Sequence, residues 1–155
     1  MLTNNFALVL FVHLIFTSVM TGVIWVIQIV HYPSFHFVEK ELYTAFQKFH
    51  MNRISIIVIP IMLAELITGL LLLLDKSSKS SLLIISFVIL ILIWAITGVF
   101  FSKAHNKLII GYQELVVNQL VVMNWIRTLL WTLRLLLLIF FIHLHLNKWS
   151  TLSKD

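Results

Sequence analysis

His31, His50 and His105, together with Glu65, are the residues of this chain whose types suit acid–base chemistry. An imidazole takes up and releases protons near neutral pH, and a buried carboxyl serves as an acid. Gln28, Arg53, Asn124, Arg127 and Arg134 are the candidates for binding substrate, the three arginines through its anionic groups. No dense motif surrounds any of them. The chain holds no H-E-x-x-H and no G-x-S-x-G, and its four glycines are isolated, so neither nucleophilic hydrolysis nor a phosphate-cradling loop has support. Seven histidines leave haem or metal ligation open, but no specific motif selects a cofactor or a metal. The chain has no cysteine, which excludes disulfides, thiolate metal sites and cysteine nucleophiles.

The elements that must position these residues are four long apolar runs. A spanning helix needs about 20 apolar residues, and the runs cover about 6–30, 54–74, 82–101 and 120–142. Hydrophobic residues make up 61% of the chain and charged residues 11%. Ordinary soluble domains carry roughly 45–50% and about 25%, so the class is integral membrane. The expected fold is all-α: a four-helix transmembrane bundle forming one domain over 1–155, with helix ends extended beyond the bilayer on one side. The first run is too long for a signal core, and Met1–Asn5 carries no Lys or Arg, so it reads as a retained helix. The net charge of +5 comes from 11 Lys and Arg scattered between the runs, which fits basic loops at a lipid bilayer and not nucleic acid.

Four spans place both termini on one side, here side A, with the Asp75–Ser80 turn. Side B receives two longer connectors, 31–53 and 102–119. In the first, Phe35, Val38, Leu42, Phe46 and Phe49 recur at helical spacing beyond Pro33. That pattern predicts either a surface amphipathic helix or an early start of the second span. Lys76, Lys79, Lys148 and Lys154 fall on side A; Lys40, Lys48, Arg53, Lys103 and Lys107 fall on side B. The difference leaves orientation undecided.

At about 100° per residue, His13, Thr17, Thr21, Gln28 and His31 share one narrow face of the first helix. His50, Arg53, Glu65 and Thr68 share a face of the second, and Asn124, Arg127, Thr128, Trp131 and Arg134 one of the fourth. Lipid offers these groups no hydrogen bonds, so the faces turn inward. The third helix has only Ser86, Trp94 and Thr97 and is expected to support the bundle. By depth, His31, His50, Arg53 and His105 gather at the side B mouth, with Gln28, Asn124 and Arg127 just inside. Glu65 and Arg134 lie near mid-depth. An ionised group there costs at least about 2.5–3.5 kcal/mol, so the two are expected to pair, either as a structural clamp or as a charged pocket wall. His36 is a weak candidate in the connector; His143 and His145 read as interfacial.

Several segments also carry a resemblance: 22–25 with 28–33, His50 to Arg53-Ile54, Pro60-Ile61-Met62-Leu63-Ala64-Glu65, and Asn124-Trp125-Ile126-Arg127-Thr128 with Trp131 and Arg134. Over nearly its whole length the chain resembles a family of uncharacterised small bacterial four-helix integral membrane proteins. It is more distantly similar to the membrane-embedded protoporphyrinogen oxidases of the HemJ type. Trp25 with Pro33, and Arg53 with Pro60-Ile61-Met62, match that family's pattern. The haem-linked residues do not carry over: that family's helix-one His falls at Ser18, and its helix-three Lys has no counterpart near 80–85. This likeness implies a shared fold and weakens a shared reaction. Anthrone-oxygenase-like membrane proteins are similar at the level of the four helices.

The expected function is a polar intrabilayer pocket, oxidoreductase-like and acting on a lipophilic substrate. In it the arginines bind anionic groups, and His31, His50 and His105 transfer protons or hold a cofactor. One alternative is a non-enzymatic subunit or assembly factor that binds a partner membrane protein or closes a homo-oligomer. Another is a proton or small-ion path along His13, Gln28 and Glu65. The expected location is the bacterial cytoplasmic (inner) membrane.

Overall fold

The computed structural model describes residues 4–75 and 80–152, with side chains from 5 as far as 145. Lys76, Lys79 and Lys154 lie outside the described residues, as does the side chain of Lys148. Helix α1 (Asn4–Val26) continues through a π-helical turn (Ile27–His31), one α turn (Tyr32–Ser34) and a 3-10 turn (Phe35–Phe37). Helix α2 runs unbroken over Tyr43–Leu74, with Pro60 inside it. Helix α3 (Ser81–Ile96) passes through a second π-helical turn (Thr97–Phe101) into α4 (Ser102–Leu108). Helix α5 spans Glu114–Leu152. The described residues contain no strand.

Four helical rods are long and apolar enough to cross a membrane: Asn5–Phe37, Tyr43–Leu74, Ser81–Leu108 and Glu114–His145. The protein is an integral membrane protein. A 32-residue helix such as α2 is about 48 Å long, whereas the hydrocarbon core is about 30 Å thick. The surplus over the apolar runs falls mainly at the histidine-bearing end, as expected of extended side B ends. There, the connector after Pro33 forms no separate surface helix over Phe35–Phe49. Val38 turns extended (ψ 129°), and α2 begins early at Tyr43.

The rods form a ring in which α1 packs on α2 and α5, and α3 packs on α2 and α5. Leu8, Phe11, Ile56, Val88 and Leu129 point outward, as a lipid-facing exterior requires. Inside, one apolar cluster (Phe6, Leu10, Leu72, Leu83, Leu138, Phe141) fills the side A end. A larger one, including Met20, Ile24, Met62, Ile93 and Trp131, fills the bundle towards side B. At the turns, the Ser80 hydroxyl accepts from the Leu82 N–H and caps α3. Gly111 closes the α4–α5 turn at φ +152°, a conformation that side chains rarely adopt.

Candidate functional site

Two polar assemblies lie at different depths. The mid-depth one is built around Arg134, which reaches across the ring from α5 to α2. Its Nη1 donates to Glu65 Oε1 at 2.6 Å, forming the expected ion pair. Its Nε donates to the Ser86 carbonyl (3.2 Å), and its Nη2 lies 3.4 Å from His13 Nε2. Trp131 Nε1 donates to the second Glu65 oxygen at 3.2 Å. The Thr68 hydroxyl donates to the Ala64 carbonyl, so His13 Nδ1, 2.7 Å away, must donate to Thr68. His13 Nε2 is then the acceptor for Arg134, and the imidazole is neutral. Every long helix contributes to this knot, and Glu65 and Arg134 are fully buried. The neighbouring cavity, lined by His13, Gly69, Leu72 and Ser86 among others, is about 10 Å³, no larger than one water needs. The arrangement is that of a clamp that neutralises two charges within one hydrogen-bonded unit.

The second assembly sits at the side B end. His31 Nε2 and His50 Nδ1 are 2.7 Å apart, one donating and the other accepting. The His50 and His105 rings lie 5.2 Å apart, centre to centre. His105 Nε2 lies 3.1 Å from the Tyr32 hydroxyl, and His105 Nδ1 accepts from the Gln47 amide at 2.9 Å. The Arg127 guanidinium is close enough to the Tyr32 hydroxyl to interact with it electrostatically. Arg127 lies over the Phe101 ring at 4.1 Å and near Trp131 at 5.5 Å. It is buried, and no acidic residue pairs with it among the described residues. Its Nε has no hydrogen-bond partner there, and neither does His50 Nε2 or Gln47 Oε1. Phe35 and Phe46 wall the histidines, with Phe35 5.1 Å from the His50 ring.

Comparison with protein-family models, curated proteins and solved structures finds no match to this chain.

The two π-helical turns explain why these groups converge. Tyr32 N–H reaches back five residues to the Ile27 carbonyl, and Ser102 N–H reaches five to Thr97. Each π turn takes in an extra residue and rotates the helix beyond it, a feature frequent at functional sites. The first carries Tyr32 inward ahead of Pro33, whose missing N–H ends the regular ladder. The second carries the segment holding His105 inward beside it. Beside this cluster, Asn124 Nδ2 donates to Gln28 Oε1 (3.0 Å), and Gln28 Nε2 donates to the Val121 carbonyl (3.2 Å).

Among the sequence candidates, His31, His50, His105 and Arg127 therefore meet in one cluster. Gln28 and Asn124 form a separate pair beside it, and Glu65 and Arg134 form the deep knot. Arg53 departs from the expectation: it is exposed and lies over Phe49 (5.5 Å), because its position on α2 points away from His50's buried face. His36 pairs with Tyr112 (3.0 Å), and His145 bonds its own helix at the Phe141 carbonyl. The third helix gives more than support, since the Ser86 carbonyl holds Arg134 and its continuation carries His105. Four imidazole nitrogens are bonded within the cluster, and no group of three His, Asp or Glu among the described residues is arranged to hold a metal. Sequence reasoning missed Tyr32, Gln47 and Phe101. Gln47 was findable, since it lies three residues before His50 on the same helical face. Tyr32 and Phe101 were not, because straight-helix periodicity fails across a π turn.

Proposed function

We propose that the side B cluster binds the anionic head of a lipophilic molecule at Arg127 and moves protons to or from it through Tyr32, His105 and His50. The observation that carries this reading is Arg127 itself. A buried cation in a membrane protein is costly, and its natural complement is an anion. Arg134 has Glu65 as its counter-ion; among the described residues Arg127 has a phenol and two aromatic faces beside it and no acidic partner. The neighbouring groups suit proton transfer. With the Gln47 amide donating to His105 Nδ1, His105 Nε2–H donates to the Tyr32 oxygen. With that amide turned over, its oxygen accepts from Nδ1–H and favours the other tautomer, in which Nε2 accepts from the Tyr32 hydroxyl; His105 thus passes a proton on by taking one up on one ring nitrogen and releasing one from the other. An oxidoreductase-like reaction on a lipophilic substrate, in a bacterial cytoplasmic membrane, would draw its protons from these same groups and exchange its electrons with a separate redox partner. Haem or metal ligation would fall first to His50 Nε2, a buried imidazole nitrogen without a hydrogen-bond partner among the described residues.

The test is extraction of protein purified in mild detergent, with bound amphiphiles identified by mass spectrometry in wild type, Arg127→Gln and Lys48→Gln. The expected result is an acidic amphiphile at near-stoichiometric level, lost from Arg127→Gln and kept in Lys48→Gln. Equal recovery from wild type and Arg127→Gln would refute the reading. A Soret band lost on His50→Ala would reassign the imidazoles to a cofactor.

A further inference from the structure

A second site lies on the outer face of the same helical segment that carries His105. Lys103 and Lys107, one turn apart on α4, flank a cavity of about 150 Å³. Val99, Phe100, Ala104, Val116 and Gln119 complete its lining. Both lysines and Gln119 are exposed; Ala104 and Val116 form the buried floor. The site is amphipathic along the membrane normal. Val99 and Phe100 lie on the membrane-core side, on the π turn that precedes α4. The ammonium groups lie beyond them, just past the apolar run that ends near 101. Among the described residues no ion pair engages either lysine. We propose that this cleft between α4 and the start of α5 is a binding site for an anionic phospholipid. The lipid's phosphate sits between Lys103 and Lys107, a headgroup hydroxyl or phosphate oxygen meets the Gln119 amide, and an acyl chain runs along Val99 and Phe100. Charge and depth favour this occupant over a protein helix. Paired cations at the headgroup level above an apolar groove match one phosphate with its attached chain, and basic pockets between transmembrane helices take anionic headgroups. A lipid seated there braces α4 from outside, on the face opposite His105.

Native mass spectrometry of the intact protein tests the proposal, with micelles titrated with phosphatidylglycerol, with phosphatidylcholine and with inorganic phosphate. The expected result is one tightly retained phosphatidylglycerol, not displaced by inorganic phosphate or replaced by phosphatidylcholine. Lys103→Gln/Lys107→Gln should weaken its retention on the order of tenfold or more. Lys40→Gln/Lys48→Gln removes the same charge from exposed positions on the same side and should leave retention unchanged. Val99→Trp keeps both cations, obstructs the groove and should also displace the lipid. Equal weakening by the two double variants would reduce the effect to general surface charge and overturn the site. Competition by inorganic phosphate, or undiminished retention in Val99→Trp, would also overturn it. Arg127 is unchanged in all these variants, so failure here leaves the proposed substrate site standing, and the reverse holds for Arg127→Gln.

Discussion

Removing Arg134 should unlock the bundle, and removing its partner as well should undo part of the damage. Arg134→Ala deletes the 2.6 Å ion pair and strands a fully buried Glu65 carboxylate with one remaining donor, the Trp131 indole. Breaking a buried pair in this way costs about 3–5 kcal/mol. A chain of this size loses about 2–4 °C of melting temperature per kcal/mol, so a fall of about 6–20 °C is expected. Glu65→Leu alone should cost about as much, because it leaves the guanidinium without a counter-ion. The double variant Glu65→Leu/Arg134→Met carries no unpaired charge. Replacing a buried pair by apolar groups is often neutral or better, although here Trp131 Nε1 and His13 Nε2 lose partners, each worth about 1–3 kcal/mol. The double should therefore melt no lower than either single. That outcome is strongly non-additive, with a coupling of at least about 2 kcal/mol. The assay is detergent-solubilised thermal unfolding at one fixed scan rate, read by size-exclusion recovery and tryptophan fluorescence. Additive losses in the double, or singles that melt with wild type, would refute the clamp. A double variant that folds but no longer retains the lipophilic ligand would instead make Glu65 part of the binding chemistry.

Gly69→Ala should lower the melting point, because the new Cβ would lie 3.0 Å from Phe87 and 3.2 Å from His13. Crowding of this kind costs about 1–3 kcal/mol, whereas Gly22→Ala meets open space and should leave the melt unchanged or slightly raised. Gln28→Leu and Asn124→Leu should each destabilise by about 1–3 kcal/mol in the same assay, with the double recovering part of the loss as the amide pair is removed together. Arg127→Lys keeps the charge but not the planar stack over Phe101, and extraction should recover at least about tenfold less bound amphiphile. Tyr32→Phe should melt within a few degrees of wild type while losing the same ligand; an unchanged ligand content would remove Tyr32 from the site.

Four transmembrane helices were written in the sequence because lipid makes burial a matter of composition. A run of about 20 apolar residues spans whatever else the chain does. The inward faces were legible for the same reason. Asn124, Arg127, Thr128, Trp131 and Arg134 repeat at helical spacing, and every one of them is buried. The Glu65–Arg134 pair followed from cost, since two opposite charges at one depth have no better partner. Tertiary structure decided everything that depends on departures from straight, regular helices. The π turns at Ile27–His31 and Thr97–Phe101 shift the register by one residue, which brings Tyr32 and His105 together. On the regular helix α2, packing turns Gln47 and His50 inward and leaves Arg53 outside. Packing order around the ring decided that Arg134 reaches Glu65 while Arg127, two turns away on the same helix, finds an aromatic wall and, among the described residues, no counter-ion. Periodicity assigns a residue to a face and a depth; which neighbour waits there is settled only when the four helices close on one another.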